Sequence, residues 1–121
     1  MSTTVFTKNL LSGSTNGKQI KITATTNGTA ITVHTAVAGA TNVDEIWIYA
    51  YNNDTVTHLL TFLWGGTTEP DNAIKVTVPA QSGRILVCDG ILLQNGLIVK
   101  AYADSANLVI LDGFVNSITY S

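Results

Sequence analysis

Residues 43–64 read Val43-Asp44-Glu45-Ile46-Trp47-Ile48-Tyr49-Ala50-Tyr51, then Asn52-Asn53-Asp54-Thr55, then Val56-Thr57-His58-Leu59-Leu60-Thr61-Phe62-Leu63-Trp64. The first run alternates with period two. Ile46, Ile48 and Ala50 share one face of a strand, and Trp47, Tyr49 and Tyr51 share the other. The second run places Val56, His58, Leu60, Phe62 and Trp64 on one face and Thr57, Leu59, Thr61 and Leu63 on the other. Large apolar residues on both faces predict a central strand, or one covered from outside the subunit. The turn between the runs is built of residues that tolerate turn geometry.

The same grammar extends in both directions. Ile31-Thr32-Val33-His34 alternates apolar and polar, and threonine is frequent throughout, which keeps a strand β-prone while its outer face stays wet. Further strands are predicted at Gln19–Ala24, Ala30–Ala36, Ala73–Val78, Arg84–Cys88, Leu97–Ala103, Leu108–Leu111 and Gly113–Thr119. Asn27-Gly28, Gly65-Gly66, Ser82-Gly83, Asp89-Gly90, Asn95-Gly96 and Asp112-Gly113 supply turn chemistry between them. No stretch carries a helical apolar period. The sequence therefore predicts an all-β chain: a single-domain antiparallel β-sandwich, jelly-roll-like.

Residues 1–18 are set apart as an N-terminal arm, with the sandwich domain at 19–121. Ser12-Gly13-Ser14-Thr15-Asn16-Gly17 reads as a flexible turn, and the segment before it has only Val5, Phe6, Leu10 and Leu11 to bury. The arm either lies on a neighbouring subunit or forms a first strand in its own sheet.

At 121 residues the chain is one domain. Its charged fraction of 12% is about half the usual ~25%. The surface is then largely Thr, Asn, Ser and Gly, which is inexpensive to desolvate and suits assembly. The net charge is −2, and Lys8, Lys18, Lys21, Lys75, Arg84 and Lys100 are scattered. No clustered cations are present to displace phosphate counterions, so no nucleic-acid partner is expected. Ile46–Tyr51 is far short of a membrane span, so no membrane partner is expected either. Met1–Phe6 lacks the basic and apolar regions of a signal peptide, which predicts synthesis in the cytoplasm.

Little here predicts chemistry. His34 and His58 sit in strands without a patterned partner, so both read as strand-face residues and no metal site is expected. Asp44-Glu45 and Glu69-Pro70-Asp71 lack calcium-loop spacing and read as solvated turns. Cys88 follows Leu86-Val87 and reads as a buried, inert thiol. No nucleophile motif or phosphate loop is present, so no catalytic residue and no cofactor are assigned, and the chain is expected not to be an enzyme. Trp47, Tyr49 and Tyr51 either fill the core, anchor an interface or offer a stacking platform for sugar. The interface candidates are Phe6, Leu10, Leu11, Trp47, Tyr49, Tyr51, Leu60, Phe62 and Trp64.

One resemblance bears on function. Trp64-Gly65-Gly66-Thr67-Thr68-Glu69-Pro70-Asp71-Asn72-Ala73-Ile74, Val76-Thr77-Val78-Pro79-Ala80-Gln81-Ser82-Gly83 and Leu86-Val87 carry it, followed by Leu97–Ala103, Ala106–Ile110 and Gly113–Asn116. This pattern, over roughly residues 43 to 118, resembles small virion structural proteins of tailed bacteriophages. The resemblance implies a head decoration or cement protein that forms a trimer or dimer, binds the major capsid protein and resides in the virion. It brings no catalytic residues. A tail, neck or fibre module and a carbohydrate-binding module are the alternative readings.

Overall fold

The computed structural model describes residues 3–120. Residues 1 and 2 of the predicted arm and residue 121 of the predicted sandwich domain lie outside the described residues. Two antiparallel sheets pack face to face. Among the described residues nine strands run β1 (Thr4–Leu10), β2 (Ile20–Lys21), β3 (Ile31–Thr35), β4 (Val43–Asn52), β5 (His58–Trp64), β6 (Ala73–Val78), β7 (Ile85–Leu93), β8 (Ile98–Ala103) and β9 (Val109–Tyr120). One sheet has the order β1-β9-β4-β7, with β2 also on β9; the other is β3-β8-β5-β6.

These orders have a simple origin. β2 pairs with β9, β3 with β8, β4 with β7, and β5 with β6. The chain is one long hairpin with its bend between β5 and β6, rolled so that β4 also meets β9 and β5 also meets β8. That is the topology of a jelly roll. Asn52–Thr55, which looked like a local turn, carries the chain from one sheet to the other.

The core forms where the inner faces meet. Ile46, Ile48 and Ala50 of β4 are fully buried against Leu60 and Phe62 of β5, Val99, Ala101 and Ala103 of β8, and Val109, Leu111 and Val115 of β9. β4 alternates half-buried and buried residues along its whole length, as its period predicts. β5 lies between β8 and β6, and Thr61 and Leu63 on its outer face are also buried.

Three sequence expectations are corrected here. Asp112-Gly113 does not turn: β9 runs straight through it for 12 residues. Gly113 lies opposite Ile48, where β4 and β9 come so close that a side chain would meet the Trp47 carbonyl. Its glycine serves that close approach. Asp89-Gly90 is likewise inside β7, where the pairing with β4 shifts and Gly90 takes φ 77°. Asn27-Gly28 forms a short 3₁₀ turn, not a hairpin. By contrast, Asn95 and Gly96 both take positive φ (65° and 67°) and do turn the chain between β7 and β8.

The segment before Gly17 resolves in favour of the own-sheet strand. Thr4–Leu10 pairs with β9 without a break from Thr4↔Tyr120 to Leu10↔Phe114. All seven of its residues are nonetheless exposed, because the strand overhangs the core. Leu11, the next residue, turns inward and is buried in the core, as are Leu60 and Phe62. These three expected interface residues are therefore unavailable to a partner. Their apolar character serves the fold.

Candidate functional site

The outer face of the β1-β9-β4-β7 sheet collects most of the remaining candidates. Register places Trp47 beside Phe114, Tyr49 beside Asp112, and Leu10 beside Phe114 on the far side. The aromatics of β4 thus face outward, half-buried, and do not fill the core.

Side chains on this face cover each other. Trp47 and Phe114 stack with centroids 6.0 Å apart and planes 10° from parallel. Lys8 Nζ lies 4.3 Å over the Phe114 ring. The other end of the row is Gly90, where an added Cβ would fall 2.9 Å from the Trp47 ring. Trp47 Nε1 donates to Glu45 Oε1 at 2.8 Å, and Asn116 Nδ2 donates to the same oxygen at 3.0 Å. Those two donors, Asn116 first, hold the Glu45 carboxyl below its ordinary range. In the next row the Arg84 guanidinium lies 3.5 Å over the Tyr49 ring and donates to Asp112 Oδ1 at 3.1 Å, while Tyr51 OH donates to Asp112 Oδ2 at 2.8 Å. Burial, then the Asp112 bond, raises the Tyr51 hydroxyl pKa.

The face is thus a laminated ladder in which Trp47 stacks on Phe114, Lys8 and Arg84 lie over rings, and Arg84 pairs with Asp112. Around it stand exposed apolar side chains: Phe6 (65% exposed), Leu10 (55%) and Tyr120 at the β1 side, Leu86 and Leu92 along β7. Phe6 and Leu10 keep their place among the interface candidates. Trp64 lies elsewhere, at one end of the sandwich, with Nε1 3.5 Å from the Leu92 carbonyl. Open clefts flank that end, one lined by Gly65, Gly66, Gly96, Leu97 and Lys100, the other by Val43, Leu92 and Leu97. No set of polar groups converges in either. Sequence reasoning missed Lys8, Arg84, Leu86, Leu92, Asp112 and Phe114. Only the cross-strand register reveals them.

The histidines are built into the scaffold. His34 is buried; its Nδ1 accepts from the Ser12 N–H at 3.0 Å and its Nε2 donates to Asp44 Oδ2 at 2.8 Å. Ser12 Oγ itself accepts from the Thr35 N–H at 2.7 Å. This Asp–His–Ser set therefore holds the crossing segment after β1 against β3. The imidazole is bonded to the serine backbone and not to its hydroxyl, so it does not activate a nucleophile. Asp44, expected in solvent, is buried. Its Oδ1 is the one buried side-chain oxygen without a hydrogen bond among the described residues. Cys88 is buried and its thiol is pushed up to about 12, chiefly by burial, so it is inert as expected. Among the described residues no group of three His, Cys, Asp or Glu is placed to hold a metal ion. Glu69, expected in solvent, is held at about 2 by bonds from Tyr102, Asn27 and Lys75.

His58 bridges two carboxylates, with Nε2 2.8 Å from Asp54 and Nδ1 2.7 Å from Asp104. The Asp54 bond is the main cause that raises its pKa, and the His58 bond is the main cause that lowers that of Asp54. The sign is then fixed for each partner. The raised His58 stabilises the fold fully below its unfolded value near 6.5, and that contribution is lost as pH rises through the folded value. The lowered Asp54 stabilises above its unfolded value near 3.9, and that contribution is lost as pH falls. Urea midpoints are expected to be highest near pH 5–6 and to fall towards pH 8.5. In His58→Gln the fall above pH 6 should disappear; a fall that persists unchanged would place its cause elsewhere.

No family model, curated protein or solved structure matches this chain.

Proposed function

We propose that the chain is a non-enzymatic structural protein of a tailed bacteriophage particle, a decoration or cement protein that binds the major capsid protein on the outside of the head. The carrying observation is the outer face of the β1-β9-β4-β7 sheet. It combines exposed Leu86, Leu92, Phe6 and Leu10 with an aromatic ladder and the Arg84–Asp112 ion pair, so a partner that covers it buries mainly apolar and aromatic surface. The jelly roll is a fold found in capsid proteins and in lectins and is compatible with this reading. A cement protein also works by many weak contacts acting together, which a rigid sandwich with a low charge density serves well.

The carbohydrate-binding alternative gains less support. A sugar platform needs free ring faces, whereas here Trp47 and Phe114 stack on each other, Lys8 lies over Phe114 and Arg84 lies over Tyr49. A tail, neck or fibre module fits the same face at another place in the particle.

The test is co-sedimentation with assembled heads of the phage that encodes the chain. Leu86→Asp with Leu92→Asp is expected to weaken binding by at least ~tenfold, the loss of an anchor of about 1.4 kcal/mol. Far-UV circular dichroism should stay unchanged, since both side chains are exposed. A chain that ignores heads removes the cement reading, and binding to tails alone selects the second.

A further inference from the structure

Among the described residues the edges are β1, the two-residue β2 and β7 in one sheet and β3 and β6 in the other. Natural edges are usually protected by bulges, charge, proline or short length. β7 pairs with β4 through two register shifts, and β3 pairs with β8 through one. β6 carries Lys75 and is followed by Pro79. β1 has none of these devices beyond one lysine. It is seven residues long, unbroken in register, free of proline and exposed on both faces.

Its sequence, Thr4-Val5-Phe6-Thr7-Lys8-Asn9-Leu10, is complementary to itself when reversed. Full antiparallel overlap puts Thr7 on a two-fold axis. Thr7 then faces the partner's Thr7, Val5 the partner's Asn9, Thr4 the partner's Leu10, and Phe6 the partner's Lys8. Threonine pairs well across strands. The Lys8 ammonium already lies 4.3 Å over Phe114, and this register brings the partner's Phe6 to its other side. An axis through Lys8 would set like charges opposite each other, and an axis through Phe6 would shorten the overlap.

We infer that β1 is the self-association edge of this protein: two copies pair Thr4–Leu10 antiparallel about Thr7 and join their sheets into one continuous β7-β4-β9-β1-β1-β9-β4-β7 sheet. The symmetry is isologous and closes at two copies. Backbone hydrogen bonds along the edge supply the affinity, and burial of Phe6 and Leu10 adds to it. This goes beyond the capsid proposal and is independent of capsid binding.

The experiment uses the full chain, free of phage heads. Light scattering should give twice the mass of one chain, and Thr7→Lys should give the single mass with an unchanged circular dichroism spectrum. In Thr7→Cys the paired Cα atoms lie about 4.5–5.5 Å apart, within disulfide range. Under oxidised glutathione that variant should form a linked dimer at least ~tenfold faster than Val5→Cys, because pairing raises the effective thiol concentration. The buried Cys88 does not compete. A single-chain mass for the unaltered protein overturns the inference. So does a dimer whose Thr7→Cys and Val5→Cys variants link at equal rates. Head co-sedimentation is read separately, so loss of head binding with retained Thr7 linkage rejects only the capsid proposal.

Discussion

Gly113→Ala is expected to destabilise the protein by about 3 kcal/mol, the upper end of the cost of forcing volume into a packed interior. The added Cβ would enter the space of the Trp47 carbonyl oxygen and also press on the Ile48 Cα at 3.1 Å. Both obstacles are backbone, so no rotamer change relieves them. Relief requires β9 to separate from β4, and this pairing runs from Val43↔Ile118 to Asn52↔Val109. Loss of alignment there also misplaces Phe114 against Trp47. Thermal melting should show a drop of roughly 10 °C. Gly28→Ala is the control, since nothing lies within 4 Å of its added Cβ. Surface changes of that kind stay within about 0.5 kcal/mol. Equal melting of the two variants would refute the close approach at Gly113.

Phe62→Ala is expected to cost about 3–5 kcal/mol, the range for emptying a buried phenylalanine site. Phe62 is fully buried at the centre of β5, opposite Ile74 on one side and Ala101 on the other. Phe62's own strand and β8 beside it are each hydrogen-bonded on both sides, so the cavity cannot collapse easily. Phe6→Ala, on the exposed edge strand, should change stability of the isolated chain by no more than about 0.5 kcal/mol. Denaturant titration of the two variants separates core from surface phenylalanine. A small loss at Phe62 would mean that the sandwich interior tolerates a void there.

Much of the architecture was legible because period two is a local signal. β4 wrote its inner and outer faces plainly, and β5 announced its central place by carrying apolar residues on both. The two glycines that failed as turn markers were misleading for a physical reason. A glycine serves equally where the chain reverses and where two backbones or a ring press close. Gly90 and Gly113 do the second, and only the neighbouring strand shows it. Leu11, Leu60 and Phe62 looked like interface anchors because sequence reports that a residue is apolar, not which surface buries it. The surface ladder was half legible. Trp47, Tyr49 and Tyr51 stood out, while Lys8, Arg84 and Phe114 gained meaning only from pairings across most of the chain. The histidine–aspartate ties were hidden for the same reason, apart from His58 and Asp54, which stand four residues apart.

The rolled hairpin also fixes an order in time. Its bend joins β5 and β6, which are neighbours in the chain, while each pair further out closes a longer loop. β1 has the longest wait: Thr4 meets Tyr120 and Leu10 meets Phe114. During synthesis the first strand is exposed to the cell before its mate has left the ribosome. Low charge in that strand is then a hazard as well as an opportunity, because other nascent chains offer the same sequence nearby. Lys8, the single charge in Thr4–Leu10, then limits which register two such strands can take, since an axis through it would set like charges opposite each other.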